Sequence, residues 1–195
     1  MGLKIKKSVS IDDIIKGCRR GNSRAQAELF ERFSARLLGV CRRYVGDLAE
    51  AEDIMIGGFM KIFDKINQFK GEGSFEGWMI RIIVNESLTY IRKNKSMSVE
   101  VSIEKADREP DYDVVYNNYD SDKLLKLVDE LPIGYRTVFN LYVLEGYAHK
   151  EIAELLGIST NASKSQLSRA RAQLRHKVLM LEKTLKKENH GKKQS

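Results

Sequence analysis

Lys150-Glu151-Ile152-Ala153-Glu154-Leu155-Leu156-Gly157-Ile158-Ser159, followed at once by Thr160-Asn161-Ala162-Ser163-Lys164-Ser165-Gln166-Leu167-Ser168-Arg169-Ala170-Arg171, is the stretch that decides the fold. It has the spacing of a helix-turn-helix. Ile152, Leu155, Leu156 and Ile158 supply apolar packing, Ala153 is small where two helices must cross closely, and Gly157 can take the positive backbone angle that stops a helix. On the second helix Leu167, Ala170 and Leu174 recur at helical spacing and face inward. Lys164, Ser165, Ser168 and Arg169 are then left on the opposite surface, with Thr160 and Asn161 at its start and Arg171 and Arg175 nearby. That is a set of base and phosphate contacts suited to a helix lying in the major groove. The competing interpretation is an ordinary helical hairpin with a solvated basic face. The turn, the small residue and the one-sided charge agree in favouring DNA.

Working outward, apolar residues recur at helical spacing almost everywhere outside the middle of the chain, and only Pro110 and Pro132 could interrupt helices. The expected class is all-α, two small helical domains joined by an acidic flexible linker. Ser10 with Asp12 and Asp13 marks a helix start, and Asn22 or Ser23 opens a longer helix with the stripe Leu29, Phe33, Leu37, Cys41 and Tyr44. A third helix runs from about Leu48 to Gln68, with Met55, Phe59, Ile62 and Ile66 on one face. A glycine-rich loop, residues 70–77, leads into a fourth ending near Lys95, with Ile80, Val84, Ser87/Leu88 and Ile91 along it. These four helices form a first domain, residues 1–95. From 96 to 120 the pattern dissolves into acidic and polar residues, a linker whose one alternation, Val99-Val101-Ile103, cannot build a sheet alone. The second domain, 121–187, starts with a helix from Ser121 to near Leu131. Another starts at Pro132 and runs to about Leu144, then come the two helices quoted above and a basic tail, 188–195.

Charge follows this division. The 195 residues carry a formal charge of +7. Residues 1–95 have 18 Lys/Arg against 12 Asp/Glu, 96–122 have 2 against 8, 123–163 have 4 against 5, and 164–195 have 10 against 2. Two basic blocks flanking an acidic connector suit two nucleic-acid surfaces joined by a segment that avoids DNA. Hydrophobic residues make up 42% of the chain, enough for packed cores, and no apolar run approaches a membrane span. Met1 to Ser10 lacks the apolar core of a signal peptide, so the protein is expected in the cytoplasm, without membrane insertion. Cys18 and Cys41 form no Cys-x-x-Cys pair and no cluster with a histidine; they are expected to be buried thiols on apolar helix faces, and no metal or cofactor is expected.

The string Leu131-Pro132, Tyr135-Arg136, Val138-Phe139, Leu141, Gly146-Tyr147, Lys150-Glu151-Ile152-Ala153, Gly157-Ile158-Ser159, Lys164-Ser165, Leu167 and Arg169-Ala170-Arg171 resembles region four of the extracytoplasmic-function (ECF) group of bacterial RNA polymerase sigma factors, in the sigma-70 family. Independently, Ala51-Glu52-Asp53-Ile54, Phe59-Met60-Lys61-Ile62-Phe63, Phe69, Ser74-Phe75, Gly77-Trp78, Arg81-Ile82, Val84-Asn85, Leu88 and Ile91-Arg92-Lys93 resemble region two of the same group. The resemblance implies an alternative sigma factor that binds the core enzyme, through the β′ clamp helices and the β flap, and promoter DNA, as duplex and as melted strand. An anti-sigma factor is a further implied partner. Region four is implied to read the upstream element through Thr160, Asn161, Lys164, Ser165, Ser168, Arg169 and Arg171. The helix carrying Asp53, Ile54, Ile56, Gly57, Met60 and Lys61 is implied to grip the clamp. The glycine loop and the helix after it are implied to open the downstream element, with Phe69, Trp78, Arg81, Asn85 and Thr89 against unpaired bases and their backbone and Arg92 and Lys93 on phosphates. Ile56-Gly57 stands where the family usually has Gln-Glu, Asn161-Ala162 where Gly-Thr is usual, and Gln166 where an arginine is common.

An enzyme finds little support in these residues. Gly71-x-Gly73-x-x-x-Gly77 misses a dinucleotide fingerprint by one residue and has no preceding strand, and no Gly-Lys-Ser/Thr loop is present. Two other functions stay open: a helix-turn-helix regulator acting on duplex DNA without core polymerase, and a helical adaptor that binds only protein.

Overall fold

Ser10 accepts a hydrogen bond from the Asp13 N–H and so starts the first helix, α1, Ile11–Arg19. The computed structural model describes residues 9–94 and 121–191, with side chains to Asn94 and from Leu125 to Leu181. Asn22 caps α2, Ser23–Tyr44, and Asp47 caps α3, Leu48–Lys65, which tightens into a 3-10 turn at Ile66–Gln68. After a loop comes α4, Phe75–Asn94. The second half holds α5, Ser121–Asp129; α6, Ile133–Phe139, passing into a π turn at Asn140–Leu144; α7, His149–Leu156; and α8, Thr160–Gly191. Every regular element among the described residues is helical, and none of these helices is long and apolar enough to cross a membrane. The chain divides into two compact units, Met1–Lys95 and Ser96–Ser195. The linker, its Val99-Val101-Ile103 alternation and the last residues of the basic tail lie outside the described residues.

In the first unit α2 lies against α1, α3 and α4, and its stripe Leu29, Leu37, Cys41 and Tyr44 is buried, joined by Val40. Phe33, expected on that stripe, is only half-buried. Met55, Phe59, Ile62 and Ile66 are buried as the spacing predicts. The inner face of α4 carries Val84, Ser87, Leu88 and Ile91 as expected and departs from expectation only in its first half. There Phe75, Met79 and Ile83 are buried, while Ile80 is half-buried. The loop is shorter than predicted because Ser74 accepts from the Gly77 N–H and begins the helix there, so Gly77 belongs to its first turn. Gly58 is buried at the crossing of α3 and α4, where a Cβ would run into Ile83 Cδ1. Its neighbour Gly57 faces open space, so of the two it is Gly57 that lowers helix propensity with no packing reason.

In the second unit α8 packs against α5, α6 and α7 through Leu167, Ala170, Leu174 and Val178, all buried. Pro132 stands one position before its expected place, as the N-cap of α6. Arg136 is buried and donates to the Asp129 carbonyl at 2.7 Å, joining α6 to the end of α5. Burial lowers its pKa from the usual arginine value, partly offset by the Asp129 carboxylate. The π turn was not legible in the sequence.

Candidate nucleic-acid interface

The helix-turn-helix is assembled by backbone as much as by side chains. Gly157 closes α7 at φ 68° and ψ 33°, in the left-handed region that suits glycine, and the Ile158 N–H returns to the Ala153 carbonyl at 3.1 Å. Two residues later Ser159 caps α8 by accepting from the Ala162 N–H at 3.0 Å. Ile152 and Leu156 of α7 are buried, as are Leu167, Ala170 and Leu174 of α8. Ser163 and Gln166 are also buried, two polar residues on the inward face that apolar periodicity did not reveal.

One fastening between the two helices was missed. His149, in the first turn of α7, places Nδ1 2.9 Å from the Ser163 hydroxyl of α8. Its ring stacks on Tyr142 of the π turn at 4.5 Å, and the Arg171 guanidinium lies 5.8 Å from the Tyr142 centroid. Arg171, predicted as a DNA contact, is thus half-buried beside an aromatic ring. Thr160, Asn161 and Lys164 are exposed; Ser165, Ser168 and Arg169 are half-buried. The outward set therefore presents a narrower surface than its sequence suggests, with Lys164 as its exposed cation.

In the first unit the residues predicted for the downstream element divide similarly. Arg81, Asn85, Arg92 and Lys93 are exposed, and Trp78 and Thr89 are half-buried. Trp78, Arg81, Asn85, Thr89 and Arg92 follow helical spacing along one side of α4. The Thr89 hydroxyl donates back to the Asn85 carbonyl at 2.8 Å, and Arg92 reaches the same hydroxyl at 3.4 Å. Phe69 stands apart. It is only 9% exposed, its ring 5.0 Å from Phe75 and 5.7 Å from Trp78, so in this conformation it supports the aromatic cluster instead of offering a free face to a base.

The set predicted for polymerase binding mostly shares one side of α3. Asp53, Ile56, Met60 and Lys61 are exposed, with Ile56 at 51% and Met60 at 69%, and Gly57 is half-buried between them. Lys61 also pairs with Glu86 of α4 at 2.5 Å. Ile54 is the correction: at 5% exposure it points into the core, three residues after buried Ala51 and one before Met55. Exposed Leu48 and Phe30 were missed, because an apolar residue outside the core gives no periodic signal.

Comparison with known proteins bears on both units. The model described as "Sigma-70 region 2" matches residues 29–97, and "Sigma-70, region 4" matches residues 121–174. The chain is similar to the ECF RNA polymerase sigma factor SigE of Mycolicibacterium smegmatis, 29% identical over 153 residues covering 76% of this chain and 59% of that protein. It is similar to the ECF RNA polymerase sigma factor SigW of Bacillus subtilis, 28% identical over 84% of this chain and 94% of that one. A solved structure of the sigma factor RpoE in complex with the anti-sigma factor NepR from Bartonella quintana superposes with a TM-score of 0.49 and 23% identity, covering 79% of this chain and 96% of that one.

Proposed function

This chain belongs to the sigma-70 family, in its extracytoplasmic-function group, and from that membership we propose that it directs RNA polymerase core enzyme to specific promoters and opens the downstream element. The observation that carries the reading is the pairing, in one chain, of a helix-turn-helix with a separate helical unit that bears an aromatic cluster and a polar, basic helix side. Duplex readout needs the first; holding unpaired bases needs the second. Lys164, with Thr160, Asn161, Ser165, Ser168, Arg169 and Arg171 around it, reads the upstream element. Trp78, Arg81, Asn85 and Thr89 hold the melted strand, Arg92 and Lys93 its phosphates, and Phe69 supports Trp78 from within.

Asp53, Ile56, Gly57, Met60 and Lys61 meet the β′ clamp helices. The two exposed apolar side chains there, where the family usually places Gln at 56, give this contact more apolar character. The second unit engages the β flap, and an anti-sigma factor covers one or both units when the regulon is silent. Bond-making belongs to the polymerase, so this protein needs no catalytic residue of its own, and it works in the cytoplasm, where the core enzyme is.

The test is run-off transcription with purified core and a promoter library carrying randomised upstream and downstream elements. Specific transcripts should arise only with core and this protein together. Lys164→Ala should weaken upstream-element use by about 1–3 kcal/mol and erase the preference at the base it contacts. Tight, dimeric, site-specific duplex binding without polymerase would instead support a conventional helix-turn-helix regulator.

A further inference from the structure

Arg19, the last residue of α1, is distant in sequence from every residue assigned above to DNA, yet it donates from Nη2 to the Phe69 carbonyl across 50 residues of chain, at 2.5 Å. Phe69 is the residue from which the loop before α4 departs. Its N–H donates to the carbonyl of Ile66, the first residue of the 3-10 turn, and its ring is packed on Phe75 and Trp78. At the other end of the loop Ser74 is fixed as the cap of α4, accepting from the Gly77 N–H while its carbonyl accepts from the Trp78 N–H at 3.0 Å. Phe75 and Trp78 are stacked at 5.5 Å, so both anchors of the loop close on one aromatic cluster.

Between the anchors lie only Lys70, Gly71, Glu72 and Gly73, all exposed, with the two glycines at φ 82° and 73°. A tetrapeptide clamped at both ends, with its glycines in the left-handed region, has few alternative paths. Its N-terminal anchor is the weaker one. The Phe69 carbonyl follows a short 3-10 turn, with no helix to continue it, and the guanidinium supplies a charge-assisted bond there.

We propose that Arg19 is a positioning residue for downstream-element recognition: through the Phe69 carbonyl it holds the loop 70–73 in place beside Trp78, so that the loop and the indole together select an unpaired base. This rests on the reading of the first unit as the melted-strand surface. Arg19 touches no nucleotide itself. It contributes by keeping the loop prearranged, which spares the complex the ordering of the loop when a base arrives.

The experiment uses full-length protein with core polymerase and the library in which both promoter elements are randomised, comparing wild type, Arg19→Ala and Arg19→Gln. Arg19→Ala should flatten base preference in the downstream element by on the order of tenfold while upstream preference is retained, because a charge-assisted hydrogen bond is worth about that factor. Arg19→Gln, which keeps an N–H donor, should recover part of the lost preference. Retained upstream preference also reports that the variant folds and assembles. Unchanged downstream preference in Arg19→Ala, equal loss at both elements, or a glutamine variant no better than alanine overturns the proposal. If wild type itself enriches neither element, the functional reading falls, and this inference with it.

Discussion

Cys41 shows how one side chain reports on the first unit. It is completely buried on α2, as its place in an apolar stripe predicts, and burial pushes its thiol up to about 12 from 9.0, with a hydrogen bond to Ser87 acting in the opposite direction. A thiol whose folded pKa is raised favours the neutral form in the native state. The native protein therefore keeps a proton that the unfolded chain releases above pH 9. The stability this represents is fully present below pH 9 and is lost as the pH rises toward 12, at about 1.4 kcal/mol per unit. Cys41 should accordingly resist alkylation at pH 8 until the unit unfolds, and denaturant midpoints of wild type should fall more steeply than those of Cys41→Ala between pH 9 and 11. Rapid labelling of Cys41 in the folded protein, or parallel pH curves, would contradict this account.

At the scale of the element, α7 is the helix with an obvious deficiency. Its N-cap is Ala148, which has no side-chain acceptor; only the returning half of a capping box exists, the Glu151 carboxylate accepting from the Ala148 N–H at 2.8 Å. The Ala148 backbone already has the extended N-cap conformation, φ −71° and ψ 152°. Ala148→Ser should therefore complete the box and stabilise the second unit by about 1 kcal/mol, read as a raised denaturant midpoint; an unchanged midpoint would mean that His149 and Ser163 already fix this terminus. The bounds of α7 and the Gly157 stop were legible because turn chemistry and apolar spacing coincide there. The buried face of α4 was legible only in its second half, from Val84 to Ile91. Met79, Ile80, Ile82, Ile83 and Val84 are all apolar, so two helical rows compete, and the choice is made by α2 and α3, outside the sequence window. The candidate site was legible as residue types along a helix. The inward turn of Ile54, the enclosure of Phe69 and the pairing of His149 with Ser163 depend on neighbours distant in sequence or on ring packing, which spacing does not encode.

For the whole molecule the governing quantity is the distribution of charge. The excess of six positive charges in residues 1–95 and of eight in residues 164–195 brackets an excess of six negative charges in residues 96–122. Promoter phosphates attract the outer blocks and repel the middle one, so the acidic segment is expected to favour a positive surface away from the DNA. The resemblance to sigma factors implies such a surface in the polymerase channel through which nascent RNA later leaves, and we propose that the carboxylates stand in there for RNA phosphates. Replacing Glu104, Asp107, Glu109, Asp111 and Asp113 with the corresponding amides removes five of the eight acidic groups while leaving both helical units unaltered. Holoenzyme affinity should then fall, short abortive transcripts should change in yield, and the difference from wild type should shrink as salt rises, because the lost attraction is screened over about 10 Å at 0.1 M salt. Affinity measured across a salt series decides the matter: a constant difference at all salts would point to lost specific contacts, and no difference at any salt would reduce the acidic segment to a solvated spacer.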